Sequence, residues 1–358
     1  MVTKIVPDEI YKLIELEVSS FKRESVTSLL KEYRYGVSDM LVYFDGSTNL
    51  RILENRHLYD EKKIVNSRSQ LLVSMLNMAM NKFADEVQGL ELSVVMPTCF
   101  SDTSDDPIQK IPCLVFSKTA YSNNILIPSV NNLAFTQEIE LTNYLDRPLH
   151  YKENKACFAG SLTGNTEDKI HENPRLVFAS RYADNPLFSI TLLRPPTVTE
   201  EDFADTMDRV YKAFPNLEGT DIIRNSEDKV SLEEQLKYKF QICIDGHTCA
   251  WARLPWQMNA NCVPIKLRDP NNQWREWFYP LLDPSKHFLE VGLEEVGDTI
   301  QALIFNENLQ RSINENGQEF ISKYYSKDMA LRVLLQTFIL LNDKQENTVL
   351  RRELGLQQ

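Results

Sequence analysis

No stretch of this chain approaches 18 consecutive apolar residues, the run that a membrane helix needs. The opening residues, MVTKIVPDEIYKLIELEV, lack the uninterrupted apolar centre of a secretory leader. The closing LGLQQ is not an ER-retention signal. The six cysteines (Cys99, Cys113, Cys157, Cys243, Cys249 and Cys262) form no C-x-x-C pair. The five histidines stand apart from one another and from paired cysteines, so a zinc site is not expected. An excess of basic charge is missing as well. At a net charge of −12 the chain is not expected to grip nucleic acid or an anionic membrane without regard to sequence, although a local basic pocket remains open to it. Internal repeats and low-complexity segments are absent too. These absences lead to the expectation of a cytoplasmic protein (bacterial, or viral within a host cell), with no membrane span and with reduced, buried thiols.

What is present is enough apolar residue, 42%, to build sizeable cores, spread over 358 residues. That length suits two domains better than one. Residues 8–35 read as an amphipathic helix with Ile10, Leu13, Ile14 and Leu16 near one face. Residues 68–86 read as a second, with Leu71, Leu72, Met75, Leu76 and Met80 at helical spacing. The pattern then changes to short apolar runs bounded by turn residues: LSVVM (92–96), CLVFS (113–117), NILIPS (124–129), ACFAGS (156–161), FSITLL (188–193), FQICID (240–245), VPIKL (263–267) and HFLEV (287–291). Continuous apolar runs alternating with helical segments predict parallel strands covered on both faces. Three helices close the chain, at 294–305, at 307–324, and from a cap at Ser326 through Leu341. The polar, mixed stretch 130–152 is the expected boundary, dividing the chain into residues 1–150 and 151–358.

Ligands of parallel α/β sheets gather at the carboxyl ends of strands, and three such ends carry suitable chemistry. FAGSLTG (158–164) ends a strand in a turn where Gly160 admits close backbone approach and Ser161 and Thr163 add hydroxyls, a combination suited to phosphate. Downstream, Arg175 and Arg181 project from a helix. The second end is FQICIDGHTCAWARLPWQ (240–257), where Asp245-Gly246 makes a tight turn. Thr248 there is expected to cap a helix reaching about Asn261, with Arg253 in its early turns and Trp251 and Trp256 in the core. The third, CFSDTSDDP (99–107), carries Asp102, Asp105 and Asp106, any of which offers a general base. No D-x-D occurs anywhere in the chain. A nucleotide-sugar enzyme that holds its diphosphate through a divalent metal usually wants that pair.

The blocks IPCLVFSKT (111–119), CFAGSLTGN (157–165), NPRLVFASR (173–181), LKYKFQICIDG (236–246), ARLPW (252–256), EWFYPLL (276–282) and NGQEFISKYYS (316–326) stand in an order that resembles the family 90 glycosyltransferases. That family takes in the Rumi-type protein O-glucosyltransferases, the capsule-associated xylosyltransferases and the lipopolysaccharide-modifying enzymes. The resemblance spans roughly residues 90–326. It implies a GT-B type α/β fold, with an acceptor-side Rossmann-like domain (1–150) and a nucleotide-sugar domain (151–358) facing a cleft, and with helices at the C-terminus. It implies inverting, metal-independent transfer of xylose or glucose from UDP-xylose or UDP-glucose to a hydroxyl of a glycan, glycolipid or glycoprotein. No cofactor is expected.

By the same resemblance Asp102 is the general base, with Asp105 as the alternative. Gly160, Ser161 and Thr163 lie beside the diphosphate, and Arg175 and Arg253 face it. Asp245 and Gly246 shape the donor-side turn, and Glu276 accepts the ribose hydroxyls. Two departures from the family pattern are visible. Ala159 stands where many members carry an arginine, and Arg253 lies seven residues after Gly246 rather than six, which on a helix is a rotation of about 100°. Two other classes stay open. One is a relative that binds a nucleotide sugar or glycan without turnover. The other is a different two-domain nucleotide-sugar enzyme, such as an epimerase.

Overall fold

A computed structural model of the chain describes residues 3–21, 40–44, 51–54, 67–90, 92, 94–98, 112–129, 132–196, 198–250, 252–268 and 274–344. Residues 22–35 of the first expected helix, Cys99, Trp251 and the whole Asp102–Asp106 loop lie outside the described residues. The chain divides into two compact units. The first is assembled from residues 1–133, 275–280 and 326–358, and the second from 134–274 and 281–325.

The first unit carries a five-stranded sheet of β1 (Met40–Phe44), β2 (Arg51–Glu54), β3 (Val94–Thr98), β4 (Leu114–Val115) and β5 (Ile125–Leu126), in the order β2-β1-β3-β4-β5. The three strands expected from apolar runs in this part, β3 to β5, are parallel. The unit departs from an all-parallel sheet at β1, which runs antiparallel to both β2 and β3. Helices Asp8–Ser19 and Ser67–Lys82 belong here, and so does the last helix, Lys327–Lys344. That last assignment corrects the expected division at residue 150. The last helix buries Ala330, Leu331, Val333 to Leu335 and Phe338 to Leu341, an apolar surface too wide for one-sided packing. It docks the two ends of the chain together. Gln336, fully buried, accepts the Ile5 N–H at 2.9 Å and donates to the Thr3 carbonyl at 3.0 Å. Arg332 forks onto Glu86 and lies 4.0 Å from the centre of the Phe83 ring. Ser326 caps this helix as expected, accepting the Met329 N–H at 3.1 Å.

The second unit holds a six-stranded, wholly parallel sheet: β6 (Glu153–Ser161), β7 (Phe188–Leu193), β8 (Ile223–Arg224), β9 (Tyr238–Cys243), β10 (Val263–Leu267) and β11 (Leu289–Val291). Five of these coincide with expected runs, and β8, two residues long, was too short to announce itself. All five residues of β10 are buried and so are five of the six in β9, which means both faces are covered, as continuous apolar strands require. Phe158, Phe178, Tyr182 and Phe188 interlock in edge-on and stacked pairs with centroids 4.2–6.0 Å apart, geometry that adds to area burial. Helices Val296–Ile304 and Glu307–Tyr324 fall where the sequence placed them. Gly317, in the latter, faces the backbone carbonyls of Met258 and His287, which a Cβ would meet at 3.1 and 3.2 Å.

The strand order is β11-β10-β9-β6-β7-β8. The chain winds outward from β6 to β8, then returns to start β9 on the other side of β6. The order therefore reverses between β6 and β9, and there the connections leaving the carboxyl ends diverge. This is the topological switch point, where open α/β sheets place their ligands.

All five described cysteines are buried, and no disulfide joins any of the described residues. Desolvation pushes the thiol of Cys243 up to about 11 and those of Cys157 and Cys262 to about 12. At pH 8 these three are expected to resist alkylation in the folded protein and to label fully in urea. Site-resolved mass spectrometry reads the difference.

Candidate donor-binding site

At the switch point the sequence turns twice. β6 ends in Gly160-Ser161 and continues through Thr163 to Gly164, whose φ of +106° belongs to the region that only glycine enters readily. β9 ends at Cys243 and passes through Ile244 and Asp245 to Gly246. Arg175, 7% exposed, reaches across both turns from the Pro174–Tyr182 helix. Its Nε donates to the Asp245 carbonyl at 3.3 Å and its Nη2 to the Ile244 carbonyl at 3.0 Å. Its Nη1 donates to the Ser161 carbonyl at 2.5 Å and to Thr163 Oγ1 at 2.7 Å. These four bonds leave one of the five guanidinium N–H groups uncommitted. A Cβ on Gly246 would overlap Thr163 Oγ1 and come within 3.1 Å of Arg175 Nη2, so the glycine is what lets the clamp close.

Asn173, which the sequence reading did not single out, holds the clamp's base. It is fully buried. Its Oδ1 caps the helix by accepting the N–H groups of Arg175 at 3.0 Å and Leu176 at 3.3 Å. Its Nδ2 donates to the carbonyls of Thr163 at 3.2 Å and Asn165 at 3.0 Å. The signal was available in N-P-R: an asparagine at the N-cap with proline at the first helical position. His247 is a second residue found only in the structure; its Nε2 accepts the Gly164 N–H at 3.4 Å, linking the two turns.

Arg253 is held differently. The helix expected from Thr248 starts at Arg253 itself and ends at Asn259. Thr248 does not cap it; its carbonyl closes the turn by accepting the Gly246 N–H at 3.0 Å. Arg253 therefore opens this helix instead of lying a turn inside it. Arg253 Nη2 donates to the Ala159 carbonyl at 2.5 Å, and the guanidinium lies 5.3 Å from the centre of the Phe158 ring, with that of Arg175 at 5.8 Å. A Cβ on Gly160 would come within 3.1 Å of Arg253 Nη2. Among the described residues this carbonyl bond leaves most of the Arg253 donor fork unused.

The electrostatics of the pair are unusual. Burial lowers the pKa of Arg175 to about 10, with the like charge of Arg253 adding to the effect. Burial likewise lowers Arg253. Both stay protonated near neutrality. Among the described residues neither is ion-paired to a carboxylate; Glu138, on the Asn132–Leu145 helix, attracts Arg253 without bonding to it. Two desolvated, mutually repelling cations beside a glycine turn form a site that an anion would stabilise.

The structure thus gathers Gly160, Ser161, Thr163, Arg175, Asp245, Gly246 and Arg253 in the second unit. Glu276 belongs to the first unit and is fully buried. Arg181 is exposed and bonds Glu294 at 2.9 Å, a surface role. Asp102 and Asp105 lie outside the described residues.

Residues 197–340 match the family model for Glycosyl transferase family 90. An O-glucosyltransferase rumi homolog of Anopheles gambiae is 27% identical over 231 residues, covering 60% of this chain and 51% of that protein. The uncharacterized protein 179R of Invertebrate iridescent virus 6 is 30% identical over 145 residues, covering 39% of this chain and 11% of that protein. The chain therefore spans about half or less of the length of these relatives. Among solved structures, Anabaena HepE in complex with UDP-glucose aligns with 56% of this chain and 52% of its own at 12% identity, with a TM-score of 0.34.

Asn173→Ala removes a helix cap and two turn anchors together. It is expected to cost about 2 kcal/mol, read from the urea midpoint at an unchanged slope.

Proposed function

We propose that this protein is a glycosyltransferase that binds a UDP-sugar at the β6–β9 switch point and passes the sugar, xylose or glucose, to a hydroxyl of a glycan, glycolipid or glycoprotein. One observation carries the reading. A buried arginine, Arg175, and a partly buried one, Arg253, meet at the strand ends without carboxylate partners among the described residues, and Arg253 donates there only to the Ala159 carbonyl. A diphosphate would supply the missing counter-charge, and Arg253 presents a fork suited to its oxygens. The match of residues 197–340 to the Glycosyl transferase family 90 model supports the sugar-transfer part of the reading.

In the mechanism proposed here, Asp102 takes the proton of the acceptor hydroxyl as its oxygen attacks the anomeric carbon from the face opposite UDP. The bond to the β-phosphate oxygen breaks, and the α-linked donor yields a β-linked product. General-base assistance of this kind is typically worth about 10²–10⁴-fold. Charge developing on the leaving UDP is met by Arg253 and by the charge of Arg175. The metal-independent form of the reading rests on the sequence, which has no D-x-D pair.

A second reading, binding without turnover, draws on a specific feature. Ala159 supplies no charge, and Arg175 spends four of its donors inside the protein, so Arg253 alone offers a mostly free fork.

Three measurements separate these readings. Transfer from UDP-glucose or UDP-xylose should persist in EDTA, and loss restored by Mn²⁺ contradicts the metal-free step. Asp102→Asn should abolish transfer while UDP still binds; normal transfer would place the base elsewhere. Arg253→Ala should weaken UDP binding by about tenfold or more, measured calorimetrically. Binding of UDP with neither transfer nor UDP-sugar hydrolysis supports the second reading.

A further inference from the structure

Asp245 is 5% exposed and sits one residue before Gly246, where a free carboxylate would compete with any anionic ligand for the arginines. It is not free. Its Oδ1 accepts the Ala250 N–H at 2.9 Å, and its Oδ2 accepts from Lys266 Nζ at 2.6 Å. Lys266 comes from the neighbouring strand β10, opposite Cys243 in register, and is itself 6% exposed. Burial opposes the charge on this ammonium, yet the carboxylate of Asp245 more than offsets it, so Lys266 stays protonated. Arg175 already touches Asp245 through the backbone carbonyl, 3.3 Å from its Nε. The cluster holds three cations (Arg175, Arg253 and Lys266) and one anion (Asp245).

We infer that Lys266 is a positioning residue: by occupying Asp245 it keeps the arginine pair available to a diphosphate. The inference rests on the UDP-binding reading above. Without Lys266, Asp245 is a buried carboxylate with no counter-ion beside Arg175, and the arginines themselves are the cations within its reach. Half of the cluster's surplus positive charge disappears, and the carboxylate draws Arg175 out of its clamp on the Ser161 and Ile244 carbonyls. A buried pair that loses one partner leaves an uncompensated charge, which seeks the nearest opposite one. Lys266 thus acts through Asp245 and does not touch the ligand.

The test is UDP affinity by calorimetry on the full chain, for the wild type, Lys266→Met, Asp245→Asn and the double variant. Lys266→Met should weaken UDP about tenfold or more, and the double variant should return to within about threefold of the wild type. Asp245→Asn alone should bind UDP at least as tightly as the wild type. Rescue by the second substitution is a readout that lost packing would not give, because Asp245→Asn restores no volume at position 266 and removes only the competing charge. Unchanged affinity in Lys266→Met overturns the inference, as does a double variant that stays weak, since Lys266 then contacts the ligand or serves packing alone. A tenfold loss in Asp245→Asn overturns it too, by making Asp245 a ligand. If Lys266→Met does not fold, Asp245→Asn and the double variant still decide. A wild type that does not bind UDP overturns the functional reading and this inference with it, whereas wild-type binding with an unaffected Lys266→Met overturns the inference alone.

Discussion

The four bonds from the Arg175 guanidinium to the ends of β6 and β9 set the shape of everything around them. Parallel strands that leave a switch point in opposite directions have nothing in the sheet ladder to hold their last residues together. Here one planar side chain does it, bonding carbonyls from both turns. Every nearby peculiarity follows from the space and charge that this requires. Gly246 has no Cβ because the guanidinium and Thr163 occupy its place, and Asn173 is buried because the helix that delivers Arg175 must start at a fixed point. The clamp also brings a positive charge into a water-poor region without giving it a carboxylate, which is an arrangement of the kind found at binding sites more than at purely structural ones.

The two arginines look equivalent in the sequence and are not equivalent in the structure. Arg175 spends its donors on the protein; Arg253 spends few, and lies where β6 has its smallest residues, Ala159 and Gly160. The first builds the cradle and contributes charge at a distance. The second has directional bonds left to give. A guanidinium is suited to either task because its five donors lie in one plane and its charge cannot be removed near neutrality.

The parallel sheet was legible because its strands are buried on both faces and so read as unbroken apolar runs; β6, β7, β9, β10 and β11 each announce themselves this way. The glycine turns and both arginines were legible as residue types at strand ends. Three things were not. β8 pairs through two residues and leaves no pattern. The start of the short helix was misplaced because Thr248 is chemically a good cap but its backbone is used in the Gly246 turn. The home of the last helix was misread because sequence adjacency favours the preceding helices, whereas its partners are the first residues of the chain and the Ser67–Lys82 helix, chosen by a wide apolar surface that periodicity alone does not address.

Asp245 was legible as a residue and misleading as a charge. A carboxylate at a strand end beside glycine invites a catalytic role, and only the register of β9 with β10 shows that Lys266 faces it. Register between strands more than 20 residues apart is a tertiary fact that no local pattern carries. Once it is known, the acidic character of the whole chain and the basic character of this one spot cease to conflict. The net charge of −12 is mostly solvated surface, screened over about 8 Å at physiological salt. The cluster at the switch point is buried except for the partly exposed Arg253, is weakly screened, and carries two more positive charges than negative among Arg175, Arg253, Lys266 and Asp245. On the proposed reading an anion approaching the protein at large is repelled, and one that fits between the two turns is held. On that reading such a site selects by shape as well as charge, because a Cβ at Gly160 or Gly246 would already meet Arg253 or Arg175 at 3.1 Å and little room is left beside the guanidinium groups.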